Sequence, residues 1–319
     1  MRTIGVLTSG GDSPGMNAAL RAVVRKGLFE NLRVMGIFRG FSGLVEGKVE
    51  ELSVKYVGDI MQRGGSKLES ARCEEFKEKE GQLKALETIK NFEIEGLVII
   101  GGDGSFRGGL DLSRQGVPVI GIPATIDNDI PLTDYSIGFD TVVNTVLDAI
   151  NKLRDTASSH HRVVVLEVMG RRSGWIALSA GLAGGADVIL IPEVPLEIGK
   201  VCSILRRRNA QGKTHSLIIL AEGVGHSFDI AKEVFADTGL EARVTILGHL
   251  QRGGTPSAFD RILASRLGAF AVDLLLKGES GKMAGIEANE IKSVALEEAL
   301  AKKKKIDLKL YELAEIFSK

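Results

Sequence analysis

Residues Val98 to Leu110, V-I-I-G-G-D-G-S-F-R-G-G-L, predict an apolar strand, a glycine-rich turn and the first turns of a helix. The same order recurs in the second half of the chain, from Leu166 to Leu182. Strand-length apolar runs that alternate with helical patterns are typical of βα units, whose strands pair in parallel. We therefore expect an α/β protein made of two similar layered domains with largely parallel sheets, facing one another across a cleft.

Applied to the whole chain, this alternation predicts the secondary structure. The predicted strands are Thr3–Leu7, Arg33–Phe38, Gly96–Ile100, Val117–Ile122, Arg162–Val168, Val188–Ile191, Ser216–Ala221 and Glu241–Leu247. The predicted helices are Gly15–Asn31, Glu78–Phe92, Ser105–Gln115, Gly138–Ala157, Gly174–Ala183, Gly199–Gln211, Asp229–Thr238 and Ser257–Lys277. We expect the larger domain to comprise residues 1–138 and about 251–300, and the smaller one residues 139–250 and about 301–319.

Composition limits the classes of protein to which the chain can belong. The 319 residues contain 41 Lys and Arg against 41 Asp and Glu, which argues against the strongly basic surface of a duplex-binding protein. The lysine run Lys302 to Lys305 is expected to lie on a solvated helix formed by the last twenty or so residues. No apolar run approaches the ~20 residues that span a bilayer. Only two cysteines, Cys73 and Cys202, are present, so we expect a cytoplasmic protein. From the balanced charge and the short apolar runs we expect no nucleic-acid or membrane partner.

Two acid-bearing turns suggest phosphoryl transfer, because that chemistry needs a phosphate cradle, a carboxylate that holds magnesium and a carboxylate that accepts a proton. In Gly101-Gly102-Asp103-Gly104-Ser105, the neighbours of the acid are too small to block a polyphosphate. Ser105 also suits a helix N-cap, a role that needs no ligand. In Thr125-Ile126-Asp127-Asn128-Asp129, the two carboxylates can face different targets. Either turn taken alone could be ordinary turn chemistry.

The loop Ser9 to Asn17, S-G-G-D-S-P-G-M-N, joins the first strand to the first helix. Bare glycine backbone can approach a phosphate, and a helix N-terminus favours anions. The loop matches neither the Walker A motif nor G-x-G-x-x-G, which weakens a dinucleotide interpretation. A turn required only for packing is the alternative.

Arginines follow strands in the second half. Met169-Gly170-Arg171-Arg172-Ser173-Gly174 and His249-Leu250-Gln251-Arg252-Gly253-Gly254 each place arginine in a glycine-containing turn. The planar fork of arginine suits a phosphate or a developing negative charge. Taken singly, an arginine more commonly forms a surface ion pair, and this alternative stays open for Arg72, Arg162, Arg243 and Arg252. Arg21 and Arg25, one helical turn apart, could face either a phosphate or nearby carboxylates.

At these residues the chain resembles the bacterial ATP-dependent 6-phosphofructokinase family over nearly its full length. The shared motifs are T-S-G-G-D-S-P-G-M-N at 8–17, G-G-D-G-S at 101–105, T-I-D-N-D at 125–129, E-V-M-G-R at 167–171, A-E-G-V-G at 221–225 and G-H-L-Q-R-G-G at 248–254. All six in this order are highly specific. The resemblance implies transfer of the γ-phosphoryl group of ATP to the 1-hydroxyl of fructose 6-phosphate, with Mg²⁺, in an active site between the two domains.

The resemblance also implies roles for individual residues. Asp127 would be the base, and Asp103 and Asp129 would organise Mg²⁺. The residues implied to support the moving phosphoryl group are Gly11, Arg72, Thr125 and Arg171. Those implied to bind ATP are Gly11, Arg72, Cys73, Gly102, Asp103, Gly104 and Ser105. Those implied to bind the sugar phosphate are Thr125, Ile126, Asp127, Arg162, Met169, Gly170, Arg171, Glu222, Arg243, His249, Leu250, Gln251 and Arg252. In this family Arg162 and Arg243 would act from a neighbouring subunit of a homotetramer.

Two small residues bear on the phosphoryl donor. Pyrophosphate-using relatives tend to carry Asp where this chain has Gly104 and Lys where it has Ala124. A carboxylate at position 104 would crowd and repel the α-phosphate of ATP, so ATP is the expected donor. A pyrophosphate-dependent phosphofructokinase is the nearest rival. A non-catalytic sensor on the same fold would be expected to lack Asp127 or Asp103, and a dinucleotide oxidoreductase would need the missing G-x-G-x-x-G fingerprint.

An effector site for ADP and phosphoenolpyruvate is implied as well. Its matching residues are Arg21, Arg25, Arg154, Gly185, Asp187, Gln211, Lys213 and His215. Gln211 stands where a basic residue is usual in the family, and Asp187 often appears as Glu. Because a charge–phosphate contact contributes on the order of 1–3 kcal/mol of binding, we expect effector control that is present but weakened.

Overall fold

The computed structural model describes residues 1–318 in two compact units. The first unit consists of Met1–Thr141 and Arg252–Lys304. The second consists of Val142–Gln251 and the residues from Lys305 onward. Each unit contains a sheet of its own.

Strands and helices alternate through most of the chain. The strands are β1 (Thr3–Thr8), β2 (Arg33–Ile37), β3 (Val49–Glu51), β4 (Gly96–Gly101), β5 (Val119–Pro123), β6 (Val163–Val168), β7 (Val188–Leu190), β8 (Ser216–Ala221), β9 (Ala242–Ile246), β10 (Lys282–Glu287) and β11 (Glu290–Ala295). The helices are α1 (Met16–Phe29), α2 (Phe41–Glu46), α3 (Lys79–Asn91), α4 (Asp103–Arg114), α5 (Phe139–His160), α6 (Trp175–Ala183), α7 (Ile198–Ala210), α8 (Ser227–Thr238), α9 (Ala258–Leu276), α10 (Leu296–Ala301) and α11 (Leu308–Phe317). Short 3-10 turns lie at Glu75–Lys77 and Gly248–Gln251.

The sheet of the first unit has seven strands in the order β11-β10-β5-β4-β1-β2-β3. Its five central strands pair in parallel, and the edge strands β3 and β11 are antiparallel to their neighbours. Every residue of β1 and β4 is buried. Continuous apolar runs such as these are expected of parallel strands that are covered on both faces.

The second unit contains a four-stranded sheet in the order β7-β8-β6-β9, and all of its pairings are parallel. The central strand β8 is buried throughout. Its core includes Val165, Leu205, Ile218 and Val234. The predicted fold class, α/β with largely parallel sheets, is confirmed.

All the predicted strands and helices are present, with ends shifted by a few residues. The sequence reading missed β3, α2, the hairpin β10–β11 and α10. These elements are short or paired at a sheet edge, and their patterns are too brief to show a clear period.

The expected solvated helix at the C-terminus is only partly correct. Helix α11 is present, but the run Lys302 to Lys305 lies outside it, in the irregular segment between α10 and α11. There the half-buried Lys304 donates its Nζ hydrogen bond to the backbone oxygen of Asp134, at 2.8 Å. Burial lowers the pKa of Lys304 to about 8, and the carboxylates of Asp134 and Asp129 oppose that fall. Irregular backbone therefore allows one lysine of the run to be partly buried with a partner. Lys319 lies outside the described residues.

A buried carboxylate organises the start of α5. Asp260 is 0% exposed; its Oδ1 accepts from the amide of Gly138 at 2.9 Å. Its Oδ2 accepts from the amide and the hydroxyl of Thr141, at 2.8 and 2.5 Å. The first amides of a helix have no partner within the helix, so a distant side chain here supplies the cap. Burial raises the pKa of Asp260 to about 6, and the hydrogen bonds from Thr141 and Gly138 oppose that rise.

We expect Asp260 to make stability depend on pH between about 4 and 6. Its pKa is about 6 in the folded state against an ordinary value of 3.8, so the folded state binds more protons in this range. The free energy of unfolding should therefore fall as the pH rises, by at most about 3 kcal/mol from this group. Urea unfolding of the wild type and of Asp260→Asn, which cannot ionise, measures the effect. The free energy of unfolding of the wild type minus that of Asp260→Asn should be larger at pH 4 than at pH 7. If this difference does not change with pH, Asp260 is not the group responsible.

Candidate active site

The loops that follow β1, β4 and β5 leave one edge of the first sheet side by side. Gly101, the last residue of β4, pairs with Pro123, the last residue of β5, and the amide of Ala124 donates to the oxygen of Gly101 at 2.9 Å. On the other side of β4, the amide of Ser9 donates to the oxygen of Ile100 at 3.0 Å. The carboxyl ends of parallel strands are where ligands bind in open α/β sheets. The structure therefore brings the three predicted loops to that edge.

The turn between β4 and α4 has room for a side chain at Gly104 but none at Gly101. A Cβ at Gly101 would lie 2.5 Å from Ser105 Oγ and 2.6 Å from the oxygen of Ser9, so any larger residue would displace the loop. A Cβ at Gly104 would meet no atom within 4 Å. This open space beside the first turn of α4 is compatible with a bulky ligand, as the sequence predicts.

Asp103 is the first residue of α4, and Gly102 is the N-cap. The suggestion that Ser105 caps this helix is wrong, because the helix begins two residues earlier and Ser105 is buried within its first turn. A carboxylate in the first turn is favoured by the helix dipole. Arg107 donates hydrogen bonds to both carboxylate oxygens of Asp103, from Nε to Oδ2 at 3.0 Å and from Nη2 to Oδ1 at 3.2 Å. Sequence reasoning missed Arg107, although its spacing of four from Asp103 is a known ion-pair signal.

The loop after β5 is held by Asn128, another residue without a role in the sequence analysis. The side chain of Asn128 donates to the oxygen of Asp134 at 3.1 Å and accepts from the amide of Ser136 at 2.9 Å. Asn128 has φ +48°, a left-handed conformation that Asn tolerates better than most residues. Asp127 beside it is 3% exposed. The loop thus presents a buried carboxylate on a backbone fixed by side-chain hydrogen bonds.

The other residues of this loop differ in exposure. Ile126 is buried, and Asp129 and Thr125 are half-buried. The hydroxyl of Thr125 accepts from the amide of Asp127 at 3.3 Å, and its backbone oxygen accepts from Ser136 Oγ at 2.7 Å.

The loop after β1 brings two predicted residues together. A Cβ at Gly11 would collide with Nη1 of Arg252, so the guanidinium lies directly against the glycine backbone. Ser13 Oγ donates to the oxygen of Ile137 at 2.6 Å. Asn17 donates to the oxygen of Arg63 at 3.0 Å. A cation of the segment after Gln251 therefore faces the glycine loop that was predicted to receive a phosphate.

Arg72 and Cys73 lie in the irregular segment that precedes α3. Arg72 is exposed. Cys73 is half-buried and packs against the apolar cluster that contains Phe41 and Phe76. Packing therefore explains the thiol without any ligand.

In the second unit, the turn after β6 is held by two residues that were predicted to bind substrate. Glu222 Oε1 accepts from the amides of Gly170 and Arg171, at 3.2 and 2.7 Å. Gln251 Oε1 accepts from the amide of Met169 at 3.1 Å. Arg171 has φ +54° and is exposed. Glu222 and Gln251 thus position this turn, a function that motif matching could not reveal.

Arg162 and Arg243 converge on one acid. Arg162 Nε lies 2.9 Å from Glu241 Oε2, and Arg243 pairs with Oε1 of the same carboxylate. They come together because β6 and β9 pair in register, with Val163 opposite Ala242. His249 and Leu250, in the 3-10 turn before Gln251, are exposed. Glu241 leaves part of the arginine charge uncompensated at the surface.

The predicted effector residues lie on both units. Arg21 and Arg25 are on α1 in the first unit. The remainder, Arg154, Gly185, Asp187, Gln211, Lys213 and His215, belong to the second unit. Asp187 Oδ1 receives Lys213 Nζ at 2.6 Å, and Arg154 donates to the oxygens of Gly184 and Gly185. Burial lowers the pKa of His215, and Lys213 lowers it further.

The arrangement in the first unit is that of a phosphoryl-transfer site in an α/β protein: glycine turns, carboxylates and an arginine at the carboxyl edge of a parallel sheet. The Phosphofructokinase family model matches residues 3–275, and the chain belongs to that family. The ATP-dependent 6-phosphofructokinase of Bacillus pumilus (strain SAFR-032) is 57% identical over 318 residues, 100% of both chains. The enzyme of the same name from Halalkalibacterium halodurans is 56% identical over 318 residues, which again are 100% of both chains.

Solved structures agree with this assignment. The phosphofructokinase from Saccharomyces cerevisiae has a TM-score of 0.88 and 36% identity to this chain. The match covers 94% of this chain and 45% of the yeast chain, so the present chain spans less than half the length of that relative. The family resemblance drawn from the six motifs is confirmed.

The donor set at the sheet edge fits a magnesium ion shared with phosphates. Within residues 1–318, no group of three or more His, Cys, Asp or Glu side chains is arranged to hold a metal by itself. Mg²⁺ typically takes one or two carboxylates together with substrate phosphates and water. Asp103, half exposed beside open space, and Asp129 offer carboxylates of this kind. Over the same described range, no helix combines the length and the hydropathy that crossing a bilayer requires.

We expect Arg107→Gln to strengthen the binding of Mg·ATP, because it releases Asp103 from an ion pair that competes with the metal. An exposed pair contributes at most about 1 kcal/mol, so the gain should be about two- to fivefold. Calorimetric titration with Mg·ATP measures it. Arg114→Gln, on the same helix but paired with Glu297, is the matched control. Equal affinities in the two variants would show that Arg107 does not compete.

Proposed function

We infer that this chain is an ATP-dependent 6-phosphofructokinase, which transfers the γ-phosphoryl group of ATP to the 1-hydroxyl of fructose 6-phosphate and releases fructose 1,6-bisphosphate and ADP. The observation that carries the inference is the placement of the Asp103 turn and the Asp127 loop on the adjacent strand ends Gly101 and Pro123. Curated relatives that bear this name match the full chain at 55–57% identity. The reaction belongs to glycolysis.

The proposed mechanism assigns the proton to Asp127. Its carboxylate accepts the proton of the 1-hydroxyl as that oxygen bonds to the γ-phosphorus, and the bond from phosphorus to the bridging oxygen of ADP breaks. Because Asp127 is buried, few water molecules compete for the proton, which favours its direct transfer from the hydroxyl to the carboxylate. Magnesium, when bound, supplies charge neutralisation for the phosphates. We place it with Asp103 and Asp129.

Arginines stabilise the negative charge that spreads over the phosphoryl oxygens. Arg252 is suited to this task, because its guanidinium lies against the bare backbone of Gly11. We assign the same role to Arg171 on the evidence of its motif and to Arg72 on the family resemblance. We assign Thr125 and Gly11 the support of the moving group. The other nucleotide and sugar contacts implied by the family remain predictions.

ATP is the proposed donor. The open space at Gly104 leaves room for an α-phosphate, and the small, uncharged Ala124 stands where pyrophosphate-using relatives tend to carry Lys. The rival, a pyrophosphate-dependent enzyme, lacks comparable support.

We also propose that the chain acts as a cytoplasmic homotetramer regulated by ADP and phosphoenolpyruvate. The shared pairing of Arg162 and Arg243 with Glu241 supports the tetramer, since it presents two arginines together at an exposed surface of the second unit. The cationic surroundings of Asp187 support an anionic effector. Free Cys73 and Cys202 suit a reducing compartment.

We expect Asp127→Asn to lower kcat by about 10²–10⁴-fold, because the amide keeps the shape of the side chain but cannot accept the proton. Turnover of fructose 6-phosphate with ATP measures the loss. Asp148→Asn, which removes an exposed acid paired with Lys152, is the control and should retain full activity. Near-normal turnover by Asp127→Asn would remove Asp127 as the base.

We expect Gly104→Asp to lower the turnover with ATP at least tenfold, since the new carboxylate would repel the α-phosphate. Gly104→Ala should retain activity, because a Cβ at this position meets no atom within 4 Å. The two variants should unfold at the same temperature, which would separate repulsion from damage to the fold. If alanine and aspartate reduce activity equally, charge is not the reason that glycine occurs here.

A further inference from the structure

Arg208 is a largely buried cation in the second unit, and the sequence analysis gave it no role. Its side chain on α7 is 14% exposed, and its Nη2 lies 2.6 Å from Asp187 Oδ1. Its Nη1 donates to the backbone oxygen of Ser318. Its Nε is buried and has no hydrogen-bond partner within the described structure. A guanidinium has more N–H donors than these contacts use, so Arg208 retains donors where few water molecules can reach.

The charges around Asp187 do not balance. Lys213 and Arg208 both bind Oδ1 of this carboxylate, which is 4% exposed, and Oδ2 accepts from the amide of Leu217 at 2.7 Å. Arg154 belongs to the same cluster, since its charge and those of Lys213 and Arg208 all lower the pKa of His215. Three cations, two of them paired with Asp187, therefore share this cluster with one carboxylate. Excess charge in a poorly solvated cluster favours the binding of an anion.

A second buried polar atom without a partner lies in the same cluster. Nδ1 of His215 has none among the described residues. Burial lowers the pKa of this histidine, which disfavours its protonated form beside the guanidinium and ammonium groups of the cluster. Nδ1 of His215 and Nε of Arg208 are therefore two polar atoms with which a bound anion or its water molecules can form hydrogen bonds.

We propose that Arg208 supplies the cation that is missing at Gln211 and binds phosphorylated anions in the effector site, a step that rests on the regulation proposed above. Gln211 is the exposed, neutral C-cap of α7. Arg208 precedes it by one helical turn, so the two side chains share a face of the helix. Binding of phosphoenolpyruvate is then as strong as in a site with a basic residue at position 211, and the weakening expected from Gln211 does not occur.

The contact with Ser318 gives this arginine a fixed geometry. Helix α11, which ends beside Ser318, is also held to α7 by the pair Lys200–Glu315, at 2.5 Å. A guanidinium anchored at both Asp187 and Ser318 loses less conformational freedom when it binds an anion, which favours affinity.

The test is calorimetric titration of the intact wild-type protein and three variants with phosphoenolpyruvate. Arg208→Met should weaken binding by about ten- to a hundredfold, the loss expected for a hydrogen bond to a charged group. Arg207→Met, which removes an exposed neighbour on the same helix, is the matched control and should stay within about twofold of wild type. Arg208→Met with Gln211→Arg should recover most of the affinity, since it restores the charge one turn later.

The rescue separates binding from folding. All variants should keep the wild-type kcat at saturating ATP and fructose 6-phosphate, and melting temperatures identify any variant that is merely unstable. If Arg208→Met does not fold, Arg208→Lys replaces it and should show an intermediate affinity that Gln211→Arg improves. Equal affinities for Arg208→Met and Arg207→Met, or a loss that Gln211→Arg does not repair, would overturn the proposal.

Failure of the underlying proposals has a different signature. A wild type that turns over fructose 6-phosphate but binds neither phosphoenolpyruvate nor ADP outside its active site would overturn the regulation and the role of Arg208 together. A wild type without phosphofructokinase turnover would overturn the catalytic proposal, while the calorimetric comparison would still decide the role of Arg208.

Discussion

The parallel pairing of β1, β4 and β5 is the constraint on which the rest of the candidate active site depends. The hydrogen bonds from Ser9 to Ile100 and from Ala124 to Gly101 align the carboxyl ends of the three strands with one another. Each following loop therefore starts at the same edge of the sheet. Where β4 ends, Gly101 has no room for a Cβ, so the chain must turn there without a side chain. Backbone pairing thus places Asp103 and Asp127 on neighbouring loops before any ligand is considered.

Polar side chains then give those loops their shape. Asn128 holds the loop that carries Asp127, and Glu222 with Gln251 holds the turn at Arg171. Asp260 serves the start of α5 in the same manner. Unmet hydrogen bonds are costly where water is excluded, so the contacts of the buried Asn128, Gln251 and Asp260 restrict the backbone to few alternatives. The residues that fix the geometry are in several cases not the residues that perform chemistry.

The charged groups at the candidate sites are paired with groups of opposite charge within the protein. Arg107 occupies the carboxylate of Asp103, Glu241 is shared by two arginines, and Asp187 is shared by Lys213 and Arg208. Each of these groups has a protein partner in the absence of ligand, and an incoming phosphate or metal must compete with that partner. A net charge of zero therefore conceals local clusters, at Glu241 and Asp187, in which cations outnumber the carboxylate. Affinity for ligands depends on how much of each ion pair is given up on binding.

The amino-acid sequence alone determined the alternation of strands and helices, the parallel α/β class and the motifs of the family, because these depend on residues close together in the chain. It also located Asp103, Asp127 and the glycine turns. Only the tertiary structure decided that Arg252 lies against Gly11, that Asp260 caps a helix 119 residues before it and that Arg208 joins Lys213 at Asp187. It also separated Lys304 from the helix expected around it. These contacts join residues far apart in the chain, and local periodicity carries no information about which buried donor will find which acceptor.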